Sequence, residues 1–153
     1  SRRISFGRFE EGNAEKQNRP SNTFDFLGFT HFCDKTRKGY FKVGRKTSRK
    51  KFTSKCKAMT KWLKDVRNVA KPKEWWNTLK SKLIGHYQYY GVSGNYDGIK
   101  AFHGHTMRTL FKWLNRRSQR KSMNWDDFNN YLKRYPLPKP KLYHNIYAFV
   151  NVP

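Results

Sequence analysis

The stretch SRKKFTSKCKAMTKWLKDV, residues 48–66, decides the fold of this chain because its apolar residues recur with a helical period. They follow one another at spacings of four, three, four and three, and they are Phe52, Cys56, Met59, Leu63 and Val66. This spacing puts all five on one face of an α-helix. Thr47 or Ser48 could cap its first turn. The stretch therefore predicts a helix with a single packing face.

The opposite face of this helix carries four lysines. They are Lys50, Lys57, Lys61 and Lys64, and at 3.6 residues per turn they fall within an arc of about 60°. Residues 35–73 as a whole hold 16 Lys or Arg and one acid, Asp65. Cations that nothing nearby balances repel one another, so contact with phosphates is favoured over simple solvation. The same argument applies to a second cluster, Arg116, Arg117, Arg120 and Lys121.

The composition agrees with a polyanionic partner. The 153 residues contain 34 Lys or Arg against 10 Asp or Glu, a formal net charge of +24. The hydrophobic fraction of 36%, with 5 Trp, 9 Tyr and 12 Phe, is enough for one domain or two small ones. Charge alone indicates a class of partner and leaves RNA and DNA equally open.

The ends and the cysteines suggest a cellular setting. No run of eighteen or more apolar residues occurs, and SRRIS at the N-terminus lacks an apolar signal region and an initiator Met. We therefore expect no membrane contact and a soluble chain, and leave open that it is a fragment. Cys33 and Cys56 fit a reducing compartment better than a disulfide framework.

The N-terminal third is predicted to be β-structure. Residues 4–9 favour a short strand, followed by a flexible loop through Asn22. Residues 24–29 alternate well enough for a strand, and residues 40–43 could pair with it across a turn that contains Lys38-Gly39. A β-hairpin is expected here.

Three more helices are expected after the first. One starts at Pro72 and ends at Gly91, one starts at Asn95 or Asp97, and a short one starts at Asn124. Their expected core residues are Trp76, Leu79, Leu83, Phe102, Leu110 and Leu114. The predicted fold class is α+β and mostly α, an N-terminal β-hairpin followed by three to four helices.

The chain shows no convincing catalytic constellation. Its adjacent acids are Asp126-Asp127, which fit the first turn of a helix better than a metal site, and Glu10-Glu11, expected to be solvated in a loop. His31 with Cys33, and His103 with His105, lack a second ligand pair at zinc spacing. His86 and His144 are expected to be hydrogen-bonded structural histidines. We therefore predict no catalytic residue, no metal and no cofactor for this chain.

Tyrosines offer another way to hold nucleic acid, since bases stack on aromatic rings. The cluster at residues 87–90 contains three of them. Tyr87 lies on an apolar stripe and is expected in the core, whereas Tyr89 and Tyr90 stay open as stacking residues.

Several segments, in this order, resemble the C-terminal part of a group II intron-encoded protein of the reverse transcriptase/maturase family. ISFGRF at residues 4–9 and FDFLGFTH at residues 24–31 resemble the last strands of the reverse-transcriptase palm. RKTSRKK at residues 45–51 resembles the passage from palm to thumb. Each motif alone is weak, but their order is specific.

The second half of the chain continues this resemblance. LIGHYQYYGV at residues 83–92 resembles the maturase-specific region, domain X or thumb. KWLNRRSQ at residues 112–119 and YPLP at residues 135–138 resemble its closing part. The implied domains are a partial palm edge at residues 1–45, domain X at residues 46–135 and a Pro/Lys-rich extension at residues 136–153.

The resemblance implies a parent that copies intron RNA into DNA during retrohoming and assists splicing of its own intron. The fingers, the Tyr-Ala-Asp-Asp catalytic motif and the rest of the palm have no counterpart here, so this chain alone is not expected to be an enzyme. The parent would be an RNA-directed DNA polymerase that uses Mg²⁺. No Cys-rich endonuclease segment follows either, as in a bacterial subgroup, which implies a bacterial cytoplasmic protein.

The expected partners are group II intron RNA, an RNA/DNA primer-template and the missing fingers and palm. The expected RNA-binding residues are Arg45, Lys46, Arg49, Lys50, Lys57, Lys61, Lys64, Arg116, Arg117 and Arg120. The alternative is a non-catalytic, basic structural RNA-binding protein of ribosomal type, for which the excess of Lys and Arg is equally suitable.

Overall fold

The computed structural model describes residues 3–116 and 123–147. The chain divides into two compact units, Ser1–Phe52 and Thr53–Pro153. The fold is α+β and mostly α, as predicted. The elements in chain order are α1 Glu10–Lys16, β1 Phe24–Phe26, β2 Phe29–Lys35, β3 Phe41–Thr47, α2 Arg49–Val69, α3 Pro72–Tyr90, α4 Tyr96–Asn115 and α5 Trp125–Arg134.

The first unit is built on an antiparallel sheet with strand order β1-β2-β3. The turn predicted at Lys38-Gly39 is confirmed, but the strand before it is β2 and not residues 24–29, so Lys35 lies opposite Phe41 and Phe29 opposite Thr47. Gly39 takes a positive φ of 82° in this turn. The sheet has one strand more than a single hairpin.

The extra strand comes from a turn inside residues 24–29, which were predicted as one continuous strand. Phe26 pairs with Phe29, so Leu27 and Gly28 form a two-residue turn. Their φ angles are 52° and 84°, and two positive φ values are what a type I′ hairpin turn requires. Gly28 adopts this conformation easily, whereas Leu27 does so at a cost.

The prediction for the N-terminal segment is wrong. Residues 4–6 form no strand, and α1 lies where a flexible loop was expected. Glu10 and Glu11 occupy the first turn of α1 and Lys16 the last, an order that the helix dipole favours. Ala14 is buried and packs this short helix against its unit.

Glu10 is also not solvated, contrary to the expectation for Glu10-Glu11. Its side chain is buried, with the residue 2% exposed, and its Oε1 accepts hydrogen bonds from Arg19 Nη1 at 2.6 Å and from the Asn22 backbone N–H at 3.0 Å. The bond from Arg19, and then that from Asn22, lower the pKa of Glu10 to about 2. Glu11 forms an ion pair with Lys35 at 2.8 Å.

The core of the second unit lies between α2, α3 and α4, and α5 adds Phe128 to it. The helices α2 and α3 begin and end close to where the sequence predicts, and the α2 stripe buries Cys56, Met59 and Leu63. The predicted core residues are buried except Leu114, which is half-buried. Trp113, one residue earlier on α4, takes its place.

Local hydrogen bonds explain the helix starts. Ser48 Oγ accepts from the Lys51 N–H at 3.3 Å, which makes Ser48 the cap of α2. Asn124 Oδ1 accepts from the Asp127 N–H at 2.8 Å, which confirms the predicted capping box of α5. Asn95 precedes α4, but its buried Nδ2 donates to the Tyr90 carbonyl at 2.8 Å and so links α3 to α4.

The stretch after α5 is hydrogen-bonded to the end of α3. Tyr87 Oη donates to the Pro138 carbonyl at 3.0 Å, and the Tyr143 N–H donates to the Gly91 carbonyl at 2.8 Å. The Ser93 N–H donates to the His144 carbonyl at 3.0 Å. Residues 138–144, predicted as part of an extension, thus belong to the second unit.

Within residues 3–116 and 123–147, every helix is too short or too polar to cross a membrane.

Candidate nucleic-acid interface

The lysine face of α2 in the second unit consists of Lys57, Lys61 and Lys64. All three are exposed, whereas Cys56, Met59 and Leu63 on the same helix are buried. Packing therefore holds the helix with its lysines towards solvent, as the periodicity predicts.

One of these lysines is paired with an acid. Lys61 Nζ lies 2.6 Å from Asp65 Oδ2, one helical turn further along. Both side chains are exposed, and such a pair contributes only about 0.3–0.5 kcal/mol. Phosphate contact can therefore replace it easily. Within the described residues, Lys57 and Lys64 make no ion pair with an acid.

The predicted residues Arg45, Lys46, Arg49 and Lys50 belong to the first unit. Arg45 and Lys46 are neighbours on β3, so their side chains point to opposite faces of the sheet. Arg45 is half-buried, and Lys46 is exposed with its Nζ 5.4 Å from the centre of the Phe32 ring. Arg49 and Lys50 are exposed in the first turn of α2. Lys46, Arg49 and Lys50 are thus free to reach a polyanion.

The second predicted cluster is described only in part. Arg116 is exposed directly after α4, and its guanidinium carbon lies 5.3 Å from the centre of the Trp113 ring. Arg117 and Arg120, like Lys121, lie outside the described residues. Lys112 Nζ, 5.1 Å from the same ring, adds a cation that the sequence analysis did not single out.

The two tyrosines proposed for base stacking differ sharply in how exposed their side chains are. Tyr89 is 51% exposed, whereas Tyr90 is only 4% exposed. The Tyr90 ring contacts His86 and Tyr89, at 4.7 Å and 4.6 Å between ring centres. Because its ring is enclosed by its neighbours, Tyr90 cannot offer a face to a base, which corrects that prediction. Tyr89 keeps an accessible ring.

The histidines are built into the fold. His144 Nε2 lies 2.8 Å from the Gln88 carbonyl, as expected of a structural histidine. His105 Nε2 lies 2.9 Å from Thr60 Oγ1 and 3.2 Å from the Cys56 carbonyl, between α2 and α4.

His86 is held by ring packing instead of hydrogen bonds. Its ring stacks on that of Phe102, with 3.7 Å between the ring centres, and the residue is 7% exposed. The His86 Nε2 atom is buried and has no hydrogen-bond partner in the described part of the chain. Burial, and then the charge of Lys55, lower the pKa of His86 to about 4. The ring is neutral at pH 7. It lines a cavity of about 290 Å³ together with Lys55 and Lys82.

Residues 3–116 and 123–147 contain no group of three or more His, Cys, Asp or Glu that could hold a metal ion. Cys33 and Cys56 are free thiols. Asp126 and Asp127 lie in the first turn of α5, where Asp127 accepts from the Asn124 N–H at 3.3 Å. The capping interpretation of this pair is therefore confirmed for Asp127.

A second basic surface escaped the sequence analysis. A pocket of about 460 Å³ lies between α3 and the end of α5, and its main walls are Lys71, Lys73, Lys80, Trp76, Tyr131 and Tyr135. We call it the aromatic–lysine pocket. Tyr131 lies in the last turns of α5 and Tyr135 follows directly after its end, with the two ring centres 5.0 Å apart.

The chain matches no protein-family model, no curated protein and no solved structure. The resemblance to the reverse transcriptase/maturase family therefore rests on the order of motifs along the sequence.

Proposed function

We propose that this chain is the RNA-binding thumb and maturase portion of a group II intron-encoded protein, and that α2 grips the RNA backbone. The observation that carries the proposal is the arrangement of α2 in the second unit. Cys56, Met59 and Leu63 are buried there, while Lys57 and Lys64 are exposed and form no ion pair with an acid of the described residues.

The lysines suit phosphates for two reasons. Consecutive members of the set are three or four residues apart, so they line up along one side of the helix. Each phosphate contact would release about one counterion, which gives affinity with a strong dependence on salt. In the first unit, Lys46, Arg49 and Lys50 offer a further set of exposed cations.

The partners under this proposal are group II intron RNA, the RNA/DNA primer-template, and the fingers and palm of the parent. The parent would polymerise DNA on RNA with Mg²⁺ in its palm, in the bacterial cytoplasm. This chain would bind and position RNA without catalysing the reaction. A primer-extension assay on the chain alone should show no product; Mg²⁺-dependent extension would contradict this division of labour.

The test of the α2 grip is a salt titration of RNA binding on nitrocellulose filters. Alanine at Lys57, Lys61 and Lys64 together should weaken binding and reduce the slope of log affinity against log salt by up to about three. The matched control replaces Lys16, Lys100 and Lys139, which are exposed elsewhere, and lowers the net charge equally. An unchanged slope in the α2 variant, or an equal loss in the control, would remove α2 from the interface.

The net charge of +24 supports a second candidate equally well, a basic structural RNA-binding protein. The two candidates differ in specificity. A maturase portion should prefer a folded group II intron over a scrambled RNA of equal length, whereas general phosphate binding predicts equal affinity at matched salt. Competition between the two RNAs for the chain distinguishes them.

A further inference from the structure

We infer that the aromatic–lysine pocket binds an unpaired nucleotide of an RNA strand, with its base against Tyr135 and its phosphates on the pocket lysines. The inference rests on the proposed function, because it assigns a second and chemically different RNA contact to the same chain. The lysine face of α2 would hold the backbone of any RNA, whereas this pocket would require an unstacked base.

The walls of the pocket supply the surface that a base needs. Trp76 and Tyr131 lie 5.5 Å apart edge to face, and Tyr131 and Tyr135 lie 5.0 Å apart between ring centres. Trp76 is buried and fixes the inner wall, whereas Tyr135 is 46% exposed. Stacking on an exposed ring needs no particular base, since every base has a π-face.

The rim of the pocket supplies the charge that a phosphate needs. Lys71 and Lys73 flank Pro72 at the start of α3, and Lys80 lies two turns further along the same helix. Pro72 and Asn77 complete the lining, and none of these eight residues is acidic. At the start of α3 the Glu74 carboxylate accepts a hydrogen bond from the Lys71 backbone N–H at 2.7 Å, so the positive charge of the rim comes from the lysine side chains. Rings within and cations at the rim are the combination found in sites for single-stranded nucleic acid.

The Trp76 indole adds a hydrogen-bond donor to the pocket wall. Its Nε1–H is buried and has no hydrogen-bond partner in the described residues, a property it shares with Trp75 and Trp113 outside the pocket. Buried donors of this kind are normally satisfied. A base carbonyl that reached the inner wall would provide the acceptor. The size also fits, because small-ligand pockets begin at roughly 300 Å³ and this one measures about 460 Å³.

The test compares a short, unstructured oligouridylate with a blunt RNA duplex by fluorescence anisotropy. Tyr135→Leu removes the ring and should weaken oligouridylate binding by about 5- to 100-fold, while duplex binding stays unchanged. Tyr135→Phe keeps the ring and should bind as the wild type does. The control is Tyr96→Leu, because Tyr96 is a tyrosine of the same unit with a similar exposure of 45%.

An NMR titration reads the same site in the unaltered chain. Oligouridylate should shift the indole N–H signal of Trp76 more than that of Trp113, which lies on α4 and does not line the pocket. Wild-type affinity of Tyr135→Leu for oligouridylate, equal losses for single strand and duplex, or a Trp76 signal that does not move would each overturn the inference.

These outcomes are distinct from a failure of the proposed α2 grip. If the α2 alanine variant keeps its full salt slope while Tyr135→Leu loses affinity for oligouridylate, the pocket inference is supported and the proposed α2 contact is contradicted. If the α2 variant loses salt slope while Tyr135→Leu binds oligouridylate normally, the α2 contact is supported and the pocket inference is contradicted.

Discussion

The guanidinium of Arg67 lies over the indole ring of Trp113, 3.9 Å from its centre, and so joins α2 to α4. Trp113 is 8% exposed, and Arg67 is half-buried with its Nε lacking a hydrogen-bond partner in the described residues. A desolvated cation on a Trp face contributes up to about 2 kcal/mol. Arg67 thus belongs to the packing of the second unit, although the sequence places it in the same cationic stretch as the α2 lysines.

We predict that Arg67→Met lowers the free energy of unfolding by about 1–2 kcal/mol and leaves the salt dependence of RNA binding unchanged. Lys64→Met, on the same helix but exposed, should leave the free energy of unfolding nearly unchanged and should reduce the salt dependence of RNA binding. Urea unfolding and filter binding of both variants measure this. A loss of salt slope in Arg67→Met would show that Arg67 contacts phosphate.

Because of His86, we predict that the free energy of unfolding falls in mild acid. Its pKa is lowered to about 4 in the fold, from about 6.5 in an unfolded chain, so the unfolded state binds more protons between these values. The contribution of His86 to the free energy of unfolding should therefore be constant above pH 6.5. It should fall towards pH 4 by about 3 kcal/mol at most. Burial also lowers the pKa of His103 and His105, which act in the same direction.

The contribution of His86 can be separated with His86→Phe, which keeps a ring against Phe102 but cannot take up a proton. The urea midpoint of this variant should change less between pH 7 and pH 4.5 than that of the wild type. Parallel pH profiles for the two proteins would mean that His86 does not supply the acid sensitivity.

The Glu10 carboxylate should stabilise the first unit. Its pKa is lowered to about 2 by Arg19 and Asn22, so this stabilisation is complete above pH 4.5 and is lost as the pH falls through 2. Glu10→Gln should lower the Tm of the first unit by several degrees at pH 7 and by less near pH 2. Hydrogen exchange of the sheet amides reports on this unit. Glu15→Gln, exposed on the same helix, is the control and should have little effect.

Two glycines of the second unit should respond to alanine in opposite ways. A Cβ on Gly91 would strike the Tyr87 carbonyl oxygen and lie 2.7 Å from the Lys141 carbonyl oxygen, both backbone atoms. Gly91→Ala should therefore lower the free energy of unfolding by about 2 kcal/mol or more. A Cβ on Gly85, inside α3, would meet nothing within 4 Å, and Gly85→Ala should stabilise by up to about 1 kcal/mol. Thermal unfolding of both variants checks the pair, and equal effects would contradict it.

Local pattern was sufficient wherever one face of an element is buried. The α2 stripe, the turn at Lys38-Gly39 and the α5 cap follow from spacing and from residues a few positions apart. The short helix α1 was not predicted because its sequence EEGNAEK has no apolar period. It depends instead on burial of Glu10 against Arg19. The turn at Leu27 escaped because a leucine there does not signal a positive φ.

By itself, then, the sequence determined the charge of the chain, the apolar and cationic faces of α2 and the mostly helical class, since these depend on residue type and helical period. Only the tertiary structure decided that Tyr90 is enclosed while Tyr89 is open, and that Arg67 serves packing. It alone also brought Lys71, Lys73 and Lys80 to Tyr131 and Tyr135. The physical reason is that α3 and α5 are far apart in sequence, and no periodicity along the chain records which distant side chains share a pocket.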